Sequence, residues 1–399
     1  MDAVTTPRWA QRMQQVQPNA IGELLRLGAE PGVMSFGGGY PDAGLFPIAG
    51  LEEVFRDAIG GTGGAALQYT VAEGRPQLRA QIAARMAADG APCSVEEVLV
   101  LQGGQQGLDL LGRLLLDPGD VVVTEDPTFL GALIAFDPCQ PRYAAVPMDA
   151  EGMDTDALEA VLKATPQARV IYTIPDFQNP TGVTMSLPRR RRLLELAEKF
   201  DLMVIEDTPY RPLRFAGEHL PTLKSLDRSG RVIFLGSFSK ILAPGLRLGW
   251  AVASRPVIER LTLLKLAADT QCSTLNMAAA SLFLERFDVD AHIATIRAAY
   301  AEKKEKMLGA IRRHFPQSVT CTDPEGGMFT WLTFPEGFDA TAFMRDHALP
   351  KARVAYVPGA SFFPVTPRPN HARLSYSAPD FETIERGMAA LGGLLKRHL

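Results

Sequence analysis

Lys240 stands in the string Ser237-Phe238-Ser239-Lys240, and Arg247 follows it seven residues later, after Pro244-Gly245-Leu246. A lysine shielded from solvent can lose its proton and attack an aldehyde carbon. Ser237, Ser239 and Arg247 offer donors to phosphate oxygens, the arginine through its planar fork. Four other strings carry chemistry of the same kind. Gln102-Gly103-Gly104-Gln105-Gln106 places glycines before a helix, where backbone N–H groups favour an anion; it also suits a plain turn. Asp207, in Asp207-Thr208-Pro209-Tyr210, can hold a ring nitrogen protonated, because ion pairing favours both charged forms; it could equally cap a turn. Asn179, in Asn179-Pro180-Thr181-Gly182, can donate to an oxygen within a turn. Phe129 could stack on a planar ring or serve the core.

Each string follows a short apolar run. Residues 97–101, 121–124, 169–173, 202–206 and 232–235 have the pattern of buried strands. Helical patterns over 105–116, 154–164 and 188–200 lie between them. Strand–helix alternation implies an α/β fold with a mostly parallel sheet covered on both faces. Ligands of such sheets bind beyond the carboxyl ends of the strands, where these strings stand. After Ser254 the pattern changes. Helices are expected over 255–268, 275–287 and 291–315, strands over 328–334, 353–357 and 373–377, and a last helix from Asp380. This predicts a large domain over 46–285, a small α+β domain over 286–399, and an N-terminal arm over 1–45 that packs with the small domain.

The chain has 399 residues, 46% hydrophobic and 22% charged, with a formal net charge of -4. No global basic field points to a nucleic-acid partner. Arg189–Arg192 form the one dense basic cluster and are expected on a solvated helix face. No stretch is apolar enough to cross a membrane, and the polar start is no secretory signal. Cys93, Cys139, Cys272 and Cys321 are scattered and the six histidines isolated, so neither a disulfide framework nor a metal site is expected. A cytoplasmic location is the expectation.

These strings, in this order, resemble the fold-type-I aminotransferases of class I/II, within them the 2-aminoadipate, kynurenine and aromatic branch. Also similar are Ser35 to Pro41, Leu45-Phe46-Pro47, Gln68-Tyr69-Thr70 with Glu73-Gly74, Gly326 to Phe329, and Arg373-Leu374-Ser375-Tyr376. The likeness covers about residues 20 to 395. It implies a seven-stranded type of central sheet and the cofactor pyridoxal 5′-phosphate. It also implies amino acid and 2-oxo acid substrates and a homodimer with shared sites. By the resemblance, Lys240 forms the Schiff base and shuttles the proton. Asp207 pairs with the pyridinium nitrogen. Asn179 and Tyr210 bond the ring hydroxyl oxygen, and Phe129 stacks on the ring. Gly104, Gln105, Ser237, Ser239 and Arg247 hold the phosphate, joined by Tyr69 from the other subunit. Arg373 takes the substrate carboxylate, with Gly39 and Asn179 beside it, and a cis Asn179-Pro180 bond is expected.

The chain departs from the branch in the helix expected over 20–27. Gly22 stands where 2-aminoadipate enzymes commonly carry an arginine, and Arg26 lies one turn further on. Aromatic, aliphatic and 2-aminoadipate-like donors stay open. Two other readings also stay open: a pyridoxal-phosphate lyase or decarboxylase, and the ligand-sensing domain of a transcription regulator. The chain begins almost at the arm and is net negative, which speaks against the regulator.

Overall fold

The computed structural model describes residues 8–14, 30–61 and 63–399. The helix expected over 20–27, with Gly22 and Arg26, lies outside them. Fourteen strands are found among the described residues: β1 (Met34–Ser35), β2 (Val98–Leu101), β3 (Val121–Asp126), β4 (Arg142–Asp149), β5 (Gly152–Met153), β6 (Ala168–Thr173), β7 (Met203–Asp207), β8 (Val232–Ser237), β9 (Gly249–Val252), β10 (Thr320–Cys321), β11 (Phe329–Thr333), β12 (Val354–Ala355), β13 (Val357–Pro358) and β14 (His371–Ser375). The helices that matter below are α1 (Pro76–Ala88), α2 (Gly104–Leu115), α3 (Leu130–Phe136), α4 (Leu187–Lys199), α5 (Arg255–Asp269), α6 (Val289–His314) and α7 (Phe381–Leu395).

The central sheet runs β2-β9-β8-β7-β6-β3-β4-β5. The pairs β8-β7, β7-β6, β6-β3 and β3-β4 are parallel, while β9 is antiparallel to both neighbours. Seven of its strands make the expected sheet. The eighth, β5, is a two-residue antiparallel extension of β4. Every residue of β2 and β9 is buried, as are four consecutive residues of β6 and β7, so these runs are continuous rather than alternating. That is the mark of strands covered on both faces. A second sheet, β10-β11-β14-β13, is antiparallel, and α7 and α6 pack together beside it. No helix among the described residues is long and apolar enough to cross a membrane.

The N-terminal arm joins these layers. β1 pairs in parallel with β12, and Ser375 N–H donates to Phe36 O. The Phe36 side chain is fully buried. Asp42 is held by the Tyr300 hydroxyl, which accepts from its N–H at 3.1 Å, and by Lys303 Nζ at 2.5 Å, both on α6.

The basic cluster departs from expectation. Arg190 is fully buried, and its guanidinium meets Asp176 at 2.8 Å. Asp176 also takes Arg211 at 3.0 Å and Arg214 at 3.7 Å. Burial alone would raise the Asp176 carboxyl, yet Arg190 and Arg211 outweigh it and hold it below its usual range. Arg191 is exposed as expected, and Arg189 and Arg192 are partly so, in ion pairs with Asp149 and Glu159. The reason is the loop after β6: it carries near its start a buried carboxylate, Asp176, that draws one arginine of α4 inward.

Candidate active site

Three parallel strands deliver the polar groups. Asp207 ends β7 and is buried; Tyr172, on neighbouring β6, donates its hydroxyl to Asp207 Oδ2 at 2.9 Å. Burial pushes the Asp207 carboxyl up to about 7, and the Tyr172 bond counters this only in part. Asn179 sits in the loop after β6, behind a cis peptide bond to Pro180, as expected. Its Nδ2 donates to the Tyr210 hydroxyl at 3.0 Å. That loop is pinned from below: Gln178 donates to Glu125 at 3.0 Å and accepts from Thr181 N–H at 2.9 Å.

Arg373 reaches the same place from β14 of the second sheet. Its Nη1 donates to Asn179 Oδ1 at 2.8 Å and its Nη2 to Gly37 O at 2.6 Å. The rings of Phe329 and Phe362 lie 4.2 and 5.2 Å from the guanidinium carbon. Burial lowers its pKa to about 10, so it stays charged at neutral pH. Its buried Nε has no partner. Two of five N–H donors are therefore committed, and the rest can meet an anion.

Lys240 follows β8, one turn beyond Ser237. Its Nζ donates to Gly39 O at 2.8 Å. Burial first, then the positive charges of Arg373 and Arg247, lowers its pKa to about 8. Gly39 itself has no room for a side chain: a Cβ there would lie 2.9 Å from Phe329 Cζ. Lys240, Gly39, Phe329, Arg373, Asn179 and Tyr210 thus form one continuous set of contacts.

The glycine loop after β2 closes the other end. Gly103 has φ +80° and precedes α2, which begins at Gly104. A Cβ on Gly103 would lie 2.8 Å from Arg247 Nη2, so glycine is what lets the arginine approach. Arg247 Nη2 donates to Gln102 O at 3.1 Å, and Ser239 N–H donates to Ser237 Oγ at 3.1 Å. A helix N-terminus, two serine hydroxyls and a guanidinium are groups that can bind an anion together. Gln105 spends its side chain elsewhere, donating to Gly131 O at 2.7 Å, which fastens the start of α3. Phe129 caps α3 and is half-buried; its ring lies against Gly131, where a Cβ would be 2.4 Å from Phe129 Cζ.

Tyr69 stands apart. It is 80% exposed and joins none of these contacts within the chain. Sequence reasoning missed Tyr172, Gln178, Glu125 and Phe362. A tyrosine inside a strand, a glutamine in a turn and a glutamate at a strand end carry no signal of their own. Phe329 stood in a matched string without an assigned role.

The residues present fit pyridoxal phosphate. Asp207 is a buried carboxylate without a cationic partner among the described residues, and a protonated ring nitrogen would complement its charge. The Gly103 cradle beside Arg247 is an anion cup, and Lys240 is an amine of lowered pKa.

Such a fold and site define a pyridoxal-phosphate enzyme of the doubly covered α/β type. The chain belongs to the aminotransferase class I and II family, which it matches over residues 37–391. It is 42% identical to the 2-aminoadipate transaminase of Thermus thermophilus over 386 residues, 96% of this chain and 95% of that one. It is 40% identical to aromatic-amino-acid aminotransferase 1 of Thermococcus litoralis over 389 residues, 96% of this chain and 93% of that one. The solved structure of LysN, the α-aminoadipate aminotransferase of Thermus thermophilus complexed with N-(5′-phosphopyridoxyl)-L-leucine, superposes with a TM-score of 0.91. That pair is 40% identical and covers 98% of this chain and 97% of the other. The protein is a transaminase that uses pyridoxal phosphate and moves an amino group between an amino acid and a 2-oxo acid.

Proposed function

We propose that Lys240 is the residue that binds the cofactor covalently and carries the proton in the exchange of an amino group between an L-amino acid and a 2-oxo acid. The observation that supports this most is the convergence of Lys240, Asp207 and Arg373 from two sheets on one buried locus, each with its pKa displaced by burial. When bound, pyridoxal phosphate supplies an aldehyde for the amino group and a ring that accepts the electron pair of the substrate α-carbon. Asp207 keeps the ring nitrogen protonated. Asn179 and Tyr210 hold the ring oxygen. Phe129 packs on a ring face. Gly104 and Gln105 through their backbone N–H groups, with Ser237, Ser239 and Arg247, hold the phosphate. Arg373 clamps the substrate carboxylate with its free donors, between Asn179 and the Gly37–Gly39 stretch. With the cofactor bound, Lys240 as a neutral amine would take the proton from the substrate α-carbon and deliver it to the cofactor's aldehyde carbon.

The proposed donors are aromatic, aliphatic and 2-aminoadipate-like L-amino acids, with a 2-oxo acid as acceptor. The proposed assembly is a homodimer in which Tyr69 reaches the phosphate of the partner's site. Leu67, Tyr69 and Val71 are more than half exposed on one loop, and Leu263 and Leu266 are so on α5; such exposed apolar side chains suit contact with a second copy. A cytoplasmic location is proposed with it, since all four cysteines are free. A panel of single amino acids given to the cofactor-loaded enzyme, without any 2-oxo acid, tests the reaction and the donor together. The expected result is conversion of the bound cofactor to pyridoxamine phosphate by the true donors. Release of ammonia or carbon dioxide without that conversion would sink it.

A further inference from the structure

Lys265 lies on α5, away from the substrate, and is completely buried. A charge so placed must be compensated. Its Nζ meets both carboxylate oxygens of Asp269 at 2.8 Å and Gln106 Oε1 at 3.2 Å. Gln106 closes the triangle by donating to Asp269 Oδ2 at 2.6 Å. The triangle points one way. Gln106 Oε1 also accepts from the backbone N–H of Gln102 at 2.8 Å. Gln102 O accepts from Arg247. Both backbone polar groups of Gln102, the residue before Gly103, are therefore fixed, its N–H by the buried triangle and its carbonyl by the phosphate-cup arginine. Directly beyond Asp269, Thr270 adopts φ +64° and ψ −52°, a conformation that a β-branched residue rarely holds unless its surroundings impose it.

We propose that Lys265, Asp269 and Gln106 are positioning residues that hold the Gln102–Gly103–Gly104 loop in the shape that grips the cofactor's phosphate. They touch no part of the cofactor; they act through Gln102. The neutral Gln106 carries two bonds to charged groups and one to the loop, so the ion pair alone could keep α5 folded without it. The burial of Lys265 thereby becomes a feature of ligand grip. This inference rests on the phosphate cup of the proposed function, not on the role of Lys240.

The experiment compares two aldehydes that differ only in the phosphate. Dissociation constants of pyridoxal phosphate and of phosphate-free pyridoxal are measured by absorbance titration of the cofactor-stripped enzyme. Gln106→Ala leaves the buried ion pair intact. Lys265→Met combined with Asp269→Leu removes both charges together and leaves neither orphaned. In both variants the affinity for pyridoxal phosphate falls about tenfold or more, equivalent to at least ~1.4 kcal/mol. The affinity for pyridoxal changes less than about twofold, on the same scale. Equal losses for both aldehydes, or no loss for either, overturn the proposal, because a purely structural role would weaken both. Failure of the Lys240 reading shows separately: borohydride would then fix pyridoxal to some other lysine of the unaltered enzyme, while the phosphate comparison would still stand.

Discussion

Lys240 is held by a single carbonyl, that of Gly39, with two cationic side chains close enough to disfavour its proton. The direction sets a pH dependence. The neutral amine is the reactive form, and its share rises as pH approaches about 8 from below. Capture of pyridoxal phosphate by the cofactor-free enzyme should therefore speed up about tenfold per pH unit below that point and level off above it. An ordinary exposed lysine would still be gaining near pH 10. Stopped-flow absorbance between pH 6 and 10 reads the difference; a rate still climbing steeply at pH 9.5 counts against the assignment. Lys240→Ala should leave a chain from which borohydride recovers no fixed cofactor, with turnover reduced by ~10²-fold or more from loss of proton transfer alone. Arg373→Lys keeps a charge but not the fork. It should reduce kcat/KM for the amino acid by about 10- to 100-fold, the value of one charge-assisted bond, in steady-state assays. At this scale the placement of the polar residues was largely legible. Lys240, Asp207, Asn179, Arg247 and Arg373 all stand where their strings placed them. What the strings could not reveal were partners brought from other elements. Tyr172 points at Asp207 only because β6 and β7 are in register, and Phe362 faces Arg373 only because the turn after β13 folds back.

At the scale of elements, strands with continuous apolar runs were the easiest to read. β4 and β9 were not. The β4 sequence mixes alanines, a proline and exposed positions, and Gly249 opens β9, so neither has strong strand preference. The pairing that makes β9 a strand lies with β2 and β8, out of reach of local pattern. Arg190 shows the same limit in a helix: its burial is set by Asp176 across the loop, not by the basic string around it. Helix contact is just as specific. In α7, a Cβ on Gly392 would lie 2.5 Å from His314 O at the end of α6, a backbone atom with little freedom to move. Gly393 has nothing within 4 Å. Gly392→Ala should therefore destabilise by ~1–3 kcal/mol, whereas Gly393→Ala should be neutral or stabilising by up to ~1 kcal/mol through helix propensity. Urea unfolding of the two variants gives the comparison, and equal effects would show that the helices can slide apart.

At the scale of the molecule, the proposed dimer makes Tyr69 part of a site it does not share with its own Lys240. Mixing Lys240→Ala chains with Tyr69→Ala chains should then regenerate intact sites. Half of randomly paired dimers are mixed, and each has one unaltered site, so about a quarter of full activity returns at limiting cofactor. No recovery after proven subunit exchange, or a monomer mass in light scattering, would remove the shared site. The passage from the central sheet to the second, antiparallel sheet was visible as a change of pattern near Ser254. The arm was expected to pack with the C-terminal part, but its strand pairing was not legible, because two-residue strands such as β1 and β12 carry no periodicity.

That arm has a consequence for synthesis. Gly37 and Arg373 are 336 residues apart in the chain, and Met34 pairs with Val354. The eight-stranded sheet is complete by Val252, so it can assemble on the ribosome while the arm still lacks its partner strand. The carboxylate clamp proposed for Arg373 would come into being only when translation is nearly finished. A nascent chain could therefore acquire its cofactor cup well before it could hold an amino acid, and a prematurely ended one would never advance past that stage.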